Sequence, residues 1–485
     1  MRRLTLLIFG ICFTAIMSMA QDFPTVSYDE VESSRDYIKG NIYQKDLLLY
    51  SHTLLLTHPH FCDIKRVKEL QKRTMKLYKE CGTIEDVKSF RLLLQRLISP
   101  LDDGHTQVAT GRSQTEIFPL YLMFDTKTSG YILAIDKLQR ENLGKRVTAI
   151  NNEPIEEFLV RAQLLVSGDN EIFKNIQISK NLSLRDFWRE YGYEGNTLNL
   201  TFADGTEAAI TATTADKLSL EQLSTKYNSP TAPLNTPFYY QIFNAESICY
   251  LQFNMCFDSV THPQLKERFD DVIEAMMGDI NANNIKTLVV DVRNNGGGNS
   301  GLCDLLLSYL TDIDAMKQMG CKVRMSELLL KHQPNLNDIT LKDGNRPAMG
   351  DLFNFWEIKY DNPEMQMSVY RINRDKNKIF KGNVIFISGM NTFSSAGLLL
   401  TLARDNGIGT IIGETSSHSP SHYGDVLRFM LPNTNTMATV SCRHFTRPNE
   451  ALNYEIELIP DTIINLSDYT KTTDPAWDYI TENYK

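Results

Sequence analysis

The stretch NTFSSAG, residues 391–397, places two hydroxyl groups where the apolar run Val384–Ile387 passes into the helical pattern Leu398–Ala403. A hydroxyl at such a corner lies at the positive end of the helix dipole, and the backbone N–H after it faces the same point. Ser394 is a candidate nucleophile there, with Ser395 offering its N–H. The position also suits a helix N-cap, and Asn391 or Thr392 could cap equally well. A second corner, LVVDVRNNGGGNSG (residues 288–301), runs a buried-type strand into three glycines and then a helix. Glycines let backbone N–H groups close on an anion, and the helix start adds positive charge. Neither GxGxxG nor a GK[ST] element is present, so a nucleotide is not the expected ligand. A third stretch, LDDGHTQV, holds His105 in a polar turn beside Asp102 and Asp103. Those types suit a general base held by a carboxylate, although a solvated loop histidine would read the same way.

These stretches are far apart in the chain, so the fold has to bring them together. Residues Tyr43 to about Leu97 show helical periodicity, with three helices in DLLLYSHTLLLTHP, DIKRVKELQKRTMKLYKE and TIEDVKSFRLLLQRLI. The last is expected to start at a capping-box-like Thr83…Asp86. From Phe118 to about Thr214 the apolar runs shorten to strand length, with a polar interruption at Gly168–Gly195. Within it, LGKRVTAINNEPIEEFLV resembles the strand–turn–helix of a PDZ domain, with Asn151-Asn152 at the turn. Beyond a Pro-containing linker the pattern is α/β: ICYLQF, KTLVVDV and VIFIS are buried-type strands alternating with amphipathic helices.

Composition adds bounds. The chain has 485 residues, enough for two or three domains, with 42% hydrophobic and 22% charged residues. A net charge of −9 argues against a nucleic-acid partner. Residues 1–20 have a basic start, an apolar run and SMA before Gln21, the pattern of a cleaved signal peptide, too short for stable membrane insertion. Seven cysteines remain after Cys12, scattered and without a CxxC pair, so no dense disulfide framework is implied; Cys62–Cys81 is one conceivable bridge. HPHFC (58–62) is a weak metal motif, because Pro59 separates its histidines. No metal and no cofactor is expected.

Taken in order, a helical region, DGHT, a PDZ-like segment, LVVDVRNNGGG, and TFSSAG followed by IIGETS resemble the tail-specific, or C-terminal processing, serine peptidase family. The resemblance implies an α/β fold with a ClpP/crotonase-like core. The implied organisation is a signal peptide at 1–20, a helical region at 21–115, a PDZ-like β-rich module at 116–218 and a linker at 219–240. A peptidase core follows at 241–470, with an insertion at 311–380, and then a tail at 471–485. It implies Ser394 as nucleophile and an oxyanion hole from the N–H groups of Ser395 and Gly297, with Gly298 next to it. One branch of the family uses a lysine some two dozen residues after the serine; here GETSSHSPSHYGD has none, and the lysine position falls near Ser419. The tricorn-type branch uses a histidine in the DGHT turn and a glutamate late in the core, matched by His105 and by Glu455, with Glu457 as the other choice. His418 and His422 are alternative bases. Many relatives carry an acid where this chain has Gly397. The expected function is an exported serine endopeptidase acting on a polypeptide substrate, secreted or periplasmic. The alternative is a non-catalytic ligand- or peptide-binding protein on the same scaffold, as in retinoid-binding relatives.

Overall fold

The computed structural model describes residues 23–109, 111–124, 130–222, 233, 235–361, 369–466 and 473–484; the expected signal peptide lies outside them. Among the described residues, no helix is long and apolar enough to cross a membrane.

The N-terminal helices are α1 (Ile42–Thr57), α2 (Ile64–Cys81) and α3 (Val87–Ile98). Asn41 and Gln44 cap α1 reciprocally, and α1 ends where His58 precedes Pro59. α3 starts later than its sequence suggests: Asp86 is its N-cap, accepting the Ser89 N–H, so Thr83 lies outside the helix.

The middle module has a mainly antiparallel sheet, whose central strands are β1 (Leu120–Phe124), β2 (Gly130–Asp136) and β3 (Arg146–Ile150). It is completed by β4 (Thr197–Phe202) and β5 (Glu207–Thr211). Helix α4 (Ile155–Ala162) follows the Asn151-Asn152 turn, where both residues have positive φ. The polar stretch 168–195 is not irregular: it forms α5 (Glu171–Asn181) and α6 (Arg185–Tyr191). Phe187 and Trp188 of α6 are buried in the module's core, while Asn170 caps α5.

The core sheet begins with β6 (Phe238–Phe243), antiparallel to β7 (Ile248–Phe253). Four parallel pairings then connect β7, β8 (Thr287–Asp291), β11 (Asn383–Ser388), β12 (Thr410–Gly413) and β15 (Thr462–Ile463). One face packs on helices α7 (Phe269–Ala282), α8 (Gly301–Ser308) and α9 (Ser395–Asp405). The segment expected as a tail includes α10 (Pro475–Asn483), whose Ala476 and Ile480 cover the other face. Burial on both faces explains the unbroken apolar strands.

The second sheet consists of β9 (Gly320–Arg324), β10 (Leu352–Asn354), β13 (His422–Leu431) and β14 (Thr436–Thr446), in the order β10-β9-β14-β13. The 311–380 insertion supplies two of its strands, so that segment belongs to the fold rather than hanging from it. α1, α2 and α3 bury their apolar sides against this sheet. Residues 107–109 pair alongside β14, with Thr439 N–H bonding Gln107 O and Ala109 N–H bonding Met437 O. The DGHT turn is thereby fixed at the edge of the second sheet, facing the ends of the parallel strands.

Candidate active site

β8 and β11 are parallel neighbours, with Asp291 opposite Ile387. Their carboxyl ends therefore deliver the glycine turn and the serine corner to the same place, the usual site of ligands on an open α/β sheet. Ser394 has φ 53° and ψ −125°, a conformation L-residues rarely adopt. It occupies the N-cap position of α9 yet makes no side-chain capping bond. Its Oγ lies 3.0 Å from His105 Nε2 instead. Strain of this kind, on the order of 1–3 kcal/mol, persists only where surrounding structure enforces it. Here Phe393 N–H bonds Asn295 O, and Thr392 Oγ1 bonds Val292 O, tying the serine corner to the glycine turn.

Within that turn Gly297 (φ 96°) and Gly298 (φ 138°) adopt backbone geometries that favour glycine. The Gly297 N–H is already used by Asn295 Oδ1 at 2.8 Å. The N–H groups of Gly298 and Ser395 make no hydrogen bond among the described residues. Ser395 Oγ donates to Gly298 O at 2.7 Å, which brings those two residues together. Of the two glycine N–H groups that the resemblance implies, the one without a partner among the described residues is that of Gly298, beside Ser395.

His105 is clamped from several sides. Thr439 Oγ1 donates to its carbonyl at 2.7 Å, and its ring stacks on Phe393 with centroids 4.7 Å apart. Asp103 Oδ1 accepts the His105 backbone N–H at 2.8 Å and lies 3.7 Å from His105 Nδ1. Asp103 Oδ2 accepts from Ser441 Oγ at 2.8 Å and meets His58 Nε2 at 3.0 Å. His58 Nδ1 accepts the His60 N–H, so the neutral ring carries its proton on Nε2 and donates to Asp103. Burial opposes charge on Asp103, but the imidazoles of His105 and His58 beside it outweigh that and hold the carboxyl well below its ordinary range. For His105, burial favours the neutral ring; the Asp103 carboxylate 3.7 Å from Nδ1 and the charges of Asp169 and Asp425 prevail and raise it above the usual imidazole value.

The alternative bases lie close by but in another state. His418 is buried, and burial followed by the charges of His422 and His105 keeps it well below the usual imidazole range. Burial, then the charges of His105 and His444, lowers His422 to about 3. Both rings are neutral at working pH, and the ring that meets Ser394 is His105. A Cβ on Gly397 would lie 2.2 Å from His418 Cγ and Cδ2. Glycine is required there because the histidine ring fills the space an acidic side chain would need.

Glu455 lies elsewhere. Its Oε2 meets Arg447 Nη1 at 2.6 Å, and Arg447 also binds Asp405. The glutamate implied by the resemblance is held by a buried arginine. Glu455→Gln is therefore expected to keep peptide turnover within about twofold, and to cost about 1 kcal/mol after allowing for its partial exposure. Turnover and denaturant midpoint on one preparation check this; a tenfold loss of turnover would restore Glu455 to the reaction.

Ser419, where the lysine of the other branch would fall, donates to Ile456 O at 2.7 Å. In HPHFC, His60 Nδ1 meets Arg66 Nη1 and Cys62 Sγ meets Arg324 Nη1, so the three side chains do not converge on one ion. All seven described cysteines, Cys62 and Cys81 included, are unbridged. His58, Ser441 and Asp169 complete the surroundings of His105, and sequence reasoning passed over their part in it. The only local hint was the Asp103-x-His105 spacing, which draws attention to Asp103 but not to its partners.

A nucleophile corner, an imidazole and paired backbone donors at the ends of adjacent parallel strands define the class, a serine-type peptidase. More narrowly, residues 248–464 match the pattern of peptidase family S41. Among solved structures, mature CPAF complexed with lactacystin is similar at 14% identity and a TM-score of 0.61, over 91% of this chain and 97% of that one. A serine-to-alanine mutant of CPAF is similar at 12% identity and a TM-score of 0.63, over 91% and 98%. At such identities the likeness speaks to the fold alone. No curated protein matches the chain in sequence.

Proposed function

We propose that the protein is an exported endopeptidase that cleaves polypeptides through an acyl-enzyme on Ser394. The observation that carries this reading is the 3.0 Å contact between Ser394 Oγ and His105 Nε2, made by a serine that caps nothing. Ser394 attacks the peptide carbonyl as His105 Nε2 takes its proton. The imidazolium then protonates the leaving amine, and water, activated by the same ring, releases the acyl group. The N–H groups of Gly298 and Ser395, backed by the start of α9, hold the tetrahedral oxyanion. Asp103 fixes the His105 turn through the backbone and faces Nδ1 with negative charge. The 116–218 module receives the substrate as an extended chain, in the manner of PDZ-like strand addition. Export rests on the composition of residues 1–20.

A fluorophosphonate probe tests the reading. Folded protein is expected to label at Ser394. The labelling rate should follow neutral His105, falling as pH drops through a midpoint above the ordinary imidazole value of about 6.5. The sign follows from the raised folded-state value: protonation sets in at higher pH than for a free imidazole, so the base is lost early on acidification. Intact-mass and peptide mapping across pH provide the measurement. Folded protein that takes no adduct at Ser394 would sink the reading and leave the ligand-binding alternative.

A further inference from the structure

The His105 Nδ1 atom is buried and makes no hydrogen bond. Asp103 Oδ1 lies 3.7 Å from it but is drawn to the His105 main-chain N–H, and Asp103 Oδ2 takes His58 and Ser441. A second carboxylate completes the group. Asp169 lies in the turn before α5, in the middle module, and is buried. Its Oδ1 accepts the Gly104 N–H at 2.6 Å, in the backbone link between Asp103 and His105. Its Oδ2 is buried and unpartnered, 3.7 Å from His418 Nδ1, which is unpartnered too. One ligand atom each from Asp103, His105 and Asp169 lies within 4.8 Å of the others.

The segment carrying Asp169 is anchored on both halves of the site. Ser167 Oγ donates to Asp103 O, and Gln107 Nε2 donates to Ser167 O. Asn170 Nδ2 donates to Ser416 O, and Ser419 Oγ to Asp169 O. Phe173 packs on Phe393, next to the nucleophile, with centroids 4.6 Å apart. So many cross-links around one buried, half-satisfied carboxylate exceed what holding a loop requires.

We propose that Asp169 is the positioning residue for His105, so that the middle module completes the catalytic group as well as receiving substrate. The proposal rests on the Ser394–His105 reading. As His105 takes the serine proton at Nε2, positive charge spreads to Nδ1–H, and the buried Asp169 carboxylate, with one ligand atom within 4.8 Å of His105, adds its charge to that of Asp103. Burial raises Asp169 to about 7, against the opposing charge of His105. The groups around His105 are Asp103 on its own turn, Asp169 before α5, His418 after β12, and His422 and Asp425 on β13. His58 stands behind Asp103. His418 and His422 remain neutral, so the Asp169 charge is the variable one.

The test is Asp169→Asn in the full chain, followed by fluorophosphonate labelling and peptide hydrolysis against pH. The labelling rate and kcat are expected to fall about 10–100-fold, with KM unchanged. The acid limb should move to lower pH, because losing a nearby negative charge makes His105 easier to deprotonate. An unchanged rate overturns the proposal, as does a slower rate with the limb in place, which would mark a merely structural role. Should Asp169→Asn not fold, Asp169→Glu keeps the charge but shifts it by one methylene. Slower labelling with the parental limb supports the proposal; labelling at the parental rate overturns it. Failure of the parent itself to label at Ser394 would strike the underlying reading instead.

Discussion

Ser394→Ala is expected to lower peptide hydrolysis by about ten-thousandfold or more, while leaving the unfolding midpoint near that of the parent. The two halves of this result discriminate between roles for the same hydroxyl. A serine that caps a helix contributes about 1 kcal/mol, which its alanine variant loses. Ser394 sits at the N-cap of α9 but donates to and accepts from no cap partner; its Oγ meets His105 Nε2 at 3.0 Å. Removing it breaks one hydrogen bond to a ring that Thr439, Phe393 and Asp103 continue to hold. The backbone strain at φ 53° stays, since alanine tolerates it no better. Stability should therefore hardly move while chemistry collapses to what the oxyanion donors alone supply. Hydrolysis at the parental rate would refute the nucleophile assignment. A large drop in midpoint with modest loss of activity would return Ser394 to a capping role.

That contrast bears on what was legible in the sequence. The Ser394 corner, the 296–298 glycines and the DGHT turn are local signatures, because a backbone that must turn sharply needs particular residue types at particular positions. Parallel buried strands announce themselves by unbroken apolar runs, so the core sheet was legible as well. What failed was everything that depends on distant packing. Asp169 lies in a stretch whose polar composition hides two helices, α5 and α6, and nothing near it indicates that its carboxylate binds the Gly104 N–H beside His105. His58 read as half of a weak metal motif because its partner, Asp103, is 45 positions away. Glu455 is the match to the resembled family's late-core glutamate, yet Arg447, buried and anchored on Asp405, captures it. Spacing along a chain does not say which of two nearby charges a carboxylate will meet. Gly397 looked like a missing acid. The structure gives a physical reason: His418 occupies that volume, so the change at 397 and the position of the ring go together.

Gly297→Ala carries the second large effect, of about 100–1,000-fold in kcat, the loss seen when an oxyanion donor is displaced. The reason is steric and local. A Cβ at Gly297 would fall 2.7 Å from Ser394 Cβ, 2.9 Å from Phe393 O and 2.9 Å from Ser395 N. Two of these neighbours are backbone atoms of the nucleophile corner, so no side-chain rotation relieves the contact. Either the glycine turn or the serine corner has to shift, and with it the Gly298 and Ser395 N–H groups proposed to hold the oxyanion. Conformational cost adds to the clash, because φ is 96°. The two contributions can be separated on the same protein. Gly192 has φ 98° but nothing within 4 Å of its Cβ position. Gly192→Ala should then cost about 1 kcal/mol of stability and no activity. Gly297→Ala should cost at least as much stability and nearly all turnover. Equal stability losses with equal, undiminished turnover would show that the glycine turn is only a bend between β8 and α8, and the oxyanion site would have to be sought elsewhere.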